Sequence, residues 1–220
     1  FNPLHSAHTY LLPVIFVADF ESTLFKVAED DPKKHKKGTK IWRERRHLPT
    51  SFGLKMVTRP DILEYEKSLP EEERFPEDLD DYYICSGTDP EVEMHTFCDA
   101  LLDWSERIQR YYQARAKHKR ELNPLEKSMF DGEDQRYMCG KDFRINKISD
   151  KQPDIDYFTS KYLGAACPEC FMRRRPDQHF IPLYFHNAKG YDMHFVLKAI
   201  TKECHGCEFS GIPMNGEKLM

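Results

Sequence analysis

The chain has 220 residues, with 33 Lys and Arg against 37 Asp and Glu, a formal charge of −4, 40% hydrophobic and 13% aromatic residues. That composition can bury a substantial core and gives the chain as a whole no basic field. No apolar run is long enough to span a bilayer and no secretory leader is visible, so no membrane partner is expected. The first residue is Phe, so the chain is expected to be a fragment or a processed product. Seven cysteines without a leader point to an intracellular, reducing compartment, whether nucleus, cytoplasm or mitochondrion. They favour metal ligation or buried thiols over a disulfide framework.

Residues 11–18, LLPVIFVA, predict a buried strand that ends at Asp19-Phe20-Glu21. Segment 25–50 is charged and is expected to be extended or irregular. Its cluster of lysines and arginines from Lys33 to Arg46 suits a phosphate backbone, and equally a solvated loop. SFGLKMVT at 51–58 predicts a second strand, stopped by Pro60. Residues 66–81 are acidic and read as a surface loop, and Tyr82–Cys85 as a third strand. Asp89-Pro90-Glu91 is a helix start: an N-cap, a proline in the first turn, and an acid near the dipole's positive end. Phe97, Leu101, Trp104, Ile108 and Tyr111 then form one apolar stripe on a helix reaching about residue 121. Asn123-Pro124 opens a second, short helix. Residues 132–179 show little periodicity, and a strand at 181–186 and a helix at 191–202 follow. The order predicts a mixed α/β or α+β fold with an insertion in its middle.

Asp19 and Glu21, two apart on a strand, point to one face. Two carboxylates on one face repel each other, and a divalent cation between them relieves the repulsion. All-oxygen ligands select magnesium or manganese. Two such ions about 4 Å apart clamp a phosphodiester during hydrolysis. Asp192, at the start of a helix beside a second apolar strand, stands where a third acid would. The plainer reading of Asp192 is a helix N-terminal acid, and of Asn187 a turn residue.

VADFESTL, residues 17–24, resembles the first motif of the DnaQ-like 3′–5′ exonuclease domains of family B DNA polymerases. FHNAKGYD, residues 185–192, resembles the second, in the wording of the protein-primed branch found in linear plasmids, viruses and large DNA transposons. HLPTSFG at 47–53, Ser86-Gly87-x-Asp89 before the long helix, and the cysteine segment extend the resemblance over nearly the whole chain. It implies an RNase H-like exonuclease domain over 1–220 with a mixed sheet, carrying the basic segment 25–50 and a cysteine-containing insertion at 132–179. It implies Asp19, Glu21 and Asp192 as ligands of two Mg2+ or Mn2+ ions. Asn187 and Tyr191 would position a single-stranded 3′ end, and Tyr191 would help orient the attacking water. Phe20 would touch the DNA or pack in the core. Single-stranded and primer-template DNA and a terminal priming protein are the implied partners. The family's third exonuclease motif, with its last acid, would lie beyond NGEKLM, so the fold is expected to be truncated at its C-terminal end and the site incomplete. That gap motivates a rival: a catalytically inactive, transposon-derived nucleic-acid-binding or interaction module.

Cys167-x-x-Cys170 and Cys204-x-x-Cys207, read by themselves, suggest a four-cysteine zinc site, although 33 residues separate them. A free-standing zinc ribbon would leave the acids unexplained. Relatives with the insertion carry two Cys, then a D-H-x-H stretch, then His and Cys. Here Arg136 occupies the first Cys place, Cys139 the second, and Ile155 and Tyr157 the His places, while Cys167 replaces a His and Cys170 remains. Cys139, Cys167 and Cys170 are thus candidate zinc ligands, with His179 or His205 as a fourth. Cys85 and Cys98 are expected in the core. Arg173, Arg174 and Arg175, beside the cysteines, read as a DNA-backbone contact or a solvated turn.

Overall fold

A computed structural model describes residues 12–27, 45–71, 74, 82–144, 151–175, 180–185, 192–203, 213–215 and 218–219. Its elements are β1 (Val14–Lys26), β2 (Arg45–Thr58), α1 (Pro60–Ser68), β3 (Tyr82–Ser86), α2 (Pro90–Lys117), α3 (Pro124–Gly132), β4 (Gln152–Ile155), β5 (Tyr162–Ala166), α4 (Pro168–Arg173), β6 (Leu183–Phe185), α5 (Asp192–Glu203), β7 (Pro213–Asn215) and β8 (Lys218–Leu219). The fold is mixed, with strands and helices interspersed but not strictly alternating. The chain divides into two compact units. A sheet unit comprises Phe16–Met56, Asp81–Trp104 and Leu183–Met220, and a cysteine unit comprises Phe1–Ile15, Val57–Asp80 and Ser105–Pro182. No helix among the described residues is long and apolar enough to cross a membrane.

In the sheet unit four strands lie in the order β3-β2-β1-β6. β6 runs parallel to β1, pairing Phe16 with Leu183 and Ala18 with Phe185, while β3 runs antiparallel to β2. The sheet is therefore mixed. Strand alternation sets its two faces. Phe16, Ala18 and Phe20 of β1 and Phe52, Leu54 and Met56 of β2 are buried, whereas Val17, Asp19 and Glu21 are exposed. The buried face is lined with rings. Phe20 lies 4.8 Å from Phe97 of α2, 6.1 Å from Phe52, and 6.0 Å from both Phe185 and Phe195. Each such pair adds about 0.5–1.5 kcal/mol to the area it buries.

α2 starts as its sequence dictates: Asp89 Oδ1 accepts from the Glu91 N–H at 2.9 Å. Phe97, Trp104, Ile108 and Tyr111 of its stripe are buried. The helix stops at Lys117, four residues short of the expected 121. α3 carries a full capping box between Asn123 and Glu126.

Several expectations change. β1 does not end at the acids but runs on to Lys26, paired as an exposed ribbon whose outer residues need no apolar pattern. Thr50 Oγ1 donates to the Glu21 carbonyl at 3.3 Å, and Ser22 Oγ meets His47 Nδ1 at 2.9 Å. Pro60 stops β2 and also begins α1, so Glu66 to Ser68 are helical rather than loop. The insertion contains β4, β5 and α4, elements too short to show a period. Cys98 is buried at 2% exposure, but Cys85, on the edge strand β3, is only half-buried. Of the basic segment, residues 28–44 lie outside the described residues, and Arg45 and Arg46 are exposed strand residues.

Candidate functional site

Asp19 and Glu21 share the outward face of β1 and are both exposed; Phe20, between them, is 2% exposed on the other face. The alternation puts the ring in the core and the carboxylates in solvent. Among the described residues neither acid has an ion-pair partner, and Asp19 Oδ1 accepts only from the Phe20 N–H at 3.2 Å. The parallel pairing matters most here. Ala18, the residue before Asp19, sits beside Phe185, the last residue of β6 and two before Asn187. Asp192 is the first residue of α5, and three residues later Phe195 packs its ring on Phe20 at 6.0 Å. Two sequence stretches about 170 residues apart thus begin side by side, where β6 ends against the middle of β1. In open sheets ligands bind at the carboxyl ends of parallel strands, and β6 ends here. Asn187 and Tyr191 lie outside the described residues, as do Cys204, Cys207, His179 and His205.

The cysteine unit gathers Cys139, Cys167 and Cys170, whose sulfurs all lie within 4.8 Å of one another, with Cys167 and Cys170 buried. Two local structures place them. In the turn 136–141, the Arg136 N–H donates to the Lys141 carbonyl at 2.9 Å and the Gly140 N–H to the Arg136 carbonyl at 2.8 Å. Gly140 sits at φ +66, where a side chain is disfavoured. Cys167 is the N-cap of α4, and Cys170 lies one turn on. The Tyr137 N–H donates to the Ala165 carbonyl at 3.0 Å, joining turn to hairpin. That approach needs Gly164, at φ +144, where a Cβ would fall 2.8 Å from that of Tyr137. Burial pushes the Cys170 thiol up to about 12, helped by its hydrogen bond with Cys167. Burial also acts to raise Cys167, but hydrogen bonds from the Cys170 backbone and thiol, with the charge of Arg136, outweigh it and lower that thiol. Three sulfurs at this spacing could hold a metal such as zinc, for which Zn–S of about 2.3 Å sets sulfurs roughly 3.8 Å apart.

A second turn has the same form as the first. The Asp156 N–H donates to the Lys161 carbonyl at 2.8 Å and the Ser160 N–H to the Asp156 carbonyl at 2.8 Å, with Ser160 at φ +55. Asp156 replaces Arg136 and Thr159 replaces Cys139. The carboxylate closes this turn itself: Asp156 Oδ1 accepts from the N–H groups of Phe158 and Thr159, both at 2.9 Å.

Around that turn lies a buried charge network that no local sequence pattern announces. Arg59 Nη2 donates to Asp156 Oδ2 at 2.9 Å, and Arg174 lies 3.5 Å from both Asp154 and Asp156. Tyr137 Oη donates to Asp154 Oδ2 at 2.5 Å, while Asp154 Oδ1 is buried with no hydrogen-bond partner among the described residues. Burial raises the Asp154 carboxyl above the usual range. Burial also opposes charge on Asp156, yet Arg59 and the two backbone donors hold it below that range. Its trace in the sequence is Asp154-Ile155-Asp156 itself, an acid pair with the same spacing as Asp19-Phe20-Glu21.

The three arginines separate. Arg173 is exposed and paired with Glu169 at 2.6 Å. Arg174, 12% exposed, turns inward to the two aspartates instead of offering its guanidinium to a nucleic-acid backbone. Arg175 is half-buried. No protein-family model matches the chain, and neither does any curated protein or any solved structure.

Proposed function

We propose that the chain is the 3′–5′ exonuclease, or proofreading, region of a protein-primed family B DNA polymerase, built on an RNase H-like fold. The observation that carries this reading is the pairing of Ala18 with Phe185 on adjacent parallel strands. It brings the start of VADFES beside the start of FHNAKGYD, as a site shared by the two motifs requires. The ring contact between Phe20 and Phe195 adds support, because it ties the first turns of α5 to the strand bearing the acids.

On this reading Asp19, Glu21 and Asp192 hold two Mg2+ or Mn2+ ions. The donor set fits, since carboxylate oxygens suit these hard cations and both described carboxylates face solvent. When bound, the metals supply an activated water and neutralise charge on the leaving oxygen. Asn187 and Tyr191 position the single-stranded 3′ end, and Tyr191 orients the water. Phe20 acts from behind, its packed ring fixing the backbone that aims the two acids. Primer-template DNA and a terminal priming protein are the partners of the whole enzyme, in an intracellular compartment.

The test is manganese-dependent digestion of a 3′-labelled single strand by the full-length protein. Asp19→Ala is expected to lower the rate by orders of magnitude. Unchanged digestion in that variant would remove the acids from the reaction. Absence of digestion in the wild type, with DNA binding intact, would favour the inactive binding module.

Zinc on Cys139, Cys167 and Cys170 belongs to the same proposal, as a structural site that takes a fourth ligand. About one equivalent of zinc in the purified protein, lost in Cys167→Ser, is the expected result. Less than ~0.2 equivalents would dismiss a closed structural site.

A further inference from the structure

The cysteine unit contains a cavity of about 680 Å³, within the size range of ligand sites. Its walls are residues 116–120 at and after the end of α2, strand β4, and Tyr157, Phe171 and Arg175. Lys117, His118 and Lys119 are exposed on it. Arg120 is part of the frame, held by Glu126 at 2.6 and 2.8 Å and by the Ser160 carbonyl at 2.7 Å. The one acid in the lining, Asp156, is turned to Arg59 and Arg174. Among the described residues no lining carboxylate therefore remains to neutralise Lys117 and Lys119. Opposite in character are Tyr157 and Phe171, whose rings lie 6.3 Å apart at 56°.

Lysines at the end of α2 would also suit the negative end of its dipole. The dipole does not account for a cavity of this size, nor for two aromatic rings in its wall. An inorganic anion would use the lysines and leave the rings idle, and so would an acidic peptide. A strand with regularly spaced phosphates and unpaired bases uses both, because phosphates take the cations and bases stack on aromatic rings.

We propose that this cavity binds a short run of single-stranded nucleic acid, with backbone phosphates on Lys117 and Lys119 and a base against Tyr157 or Phe171. It is a binding site only; it requires no cleavage and does not depend on Asp19 or Glu21. It gives the cysteine unit a role of its own in handling the strand.

The experiment uses the whole protein without added magnesium or manganese, with a fluorescent oligothymidylate and a strand of equal charge lacking bases. Both lysines are exposed, so Lys117→Glu with Lys119→Glu leaves the core untouched. That double variant is expected to bind at least about tenfold more weakly, with a salt slope smaller by roughly 1.4 for two lost phosphate contacts. Tyr157→Ala is expected to weaken oligothymidylate about fivefold or more and the base-free strand little. Photo-crosslinking of an iodouridine strand should mark Tyr157 or Phe171. Unchanged affinity and slope in the lysine variant, or crosslinks confined to the sheet unit, would overturn the proposal. Digestion assays on the same variants keep the two readings apart. Loss of activity in Asp19→Ala with an unaltered lysine variant would sink the cavity site and leave the exonuclease standing.

Discussion

Asp19 and Glu21 are exposed on the outward face of a strand, whereas Asp154 and Asp156, with the same spacing, are 0% and 5% exposed between Arg59, Arg174 and Tyr137. The first pair has Phe20 behind it in a core of rings. The second is itself part of what fills its unit's interior. Spacing alone thus says only that two carboxylates share a side; what surrounds them decides whether they hold the fold or stand ready for a ligand. Exposed acids without cationic partners leave their charge available. Buried acids between guanidinium groups have already used it.

The largest test of that contrast is Asp156→Ala. It would leave Arg59 and Arg174 without one of their acids and strip two backbone N–H groups of their acceptor. Breaking one side of a buried pair is worth about 3–5 kcal/mol, and denaturant titration at neutral pH should show a loss of that order. The pH dependence has a definite sign. The folded carboxyl of Asp156 lies below its ordinary value, so its stabilisation is present above the ordinary carboxylate range and is lost as pH falls through the folded value. Asp154 works in the opposite direction: raised by burial, it favours the folded state increasingly as pH falls. Below about pH 4, the wild type should weaken more steeply than Asp156→Asn, which carries no titrating group there. A variant with the same acid limb as the wild type would mean that Asp156 is not what holds the turn.

How far each region could be read from sequence follows from the same physics. The sheet unit was legible because its signals are local. LLPVIFVA runs into the part of β1 that lies on a core, and the stripe that begins at Phe97 and Trp104 marks the start of α2; the cysteine unit shares that helix and has one further local signal, the cap of α3 at Asn123 and Glu126. β1 was nonetheless cut short, since a strand pattern fades where the strand leaves the core and continues as an exposed ribbon to Lys26. The cysteine unit was poorly legible because its ties are distant. Arg115 meets Glu66 across 49 positions and Arg59 meets Asp156 across 97. No window of sequence contains both partners, so Glu66 read as part of an acidic loop and Arg174 as part of a basic patch. The site shows the same division. The two motifs were visible singly, while their adjacency depends on the register of β1 and β6.

The smallest expected effect is the most telling about Asp19 and Glu21. If their role is to bind metal, the fold does not need them, and removing both should relieve a like-charge contact on one strand face. Asp19→Ala with Glu21→Ala should leave stability within about 0.5 kcal/mol of the wild type without metal, as for other exposed positions. The gain from lost repulsion and the loss of two exposed polar side chains both fall inside that margin. Added manganese should then stabilise the wild type and not the double variant, because a ligand raises stability only through the state that binds it. A large loss of stability without metal would place these acids with Asp154 and Asp156, as parts of the fold, and the contrast between the two pairs would disappear.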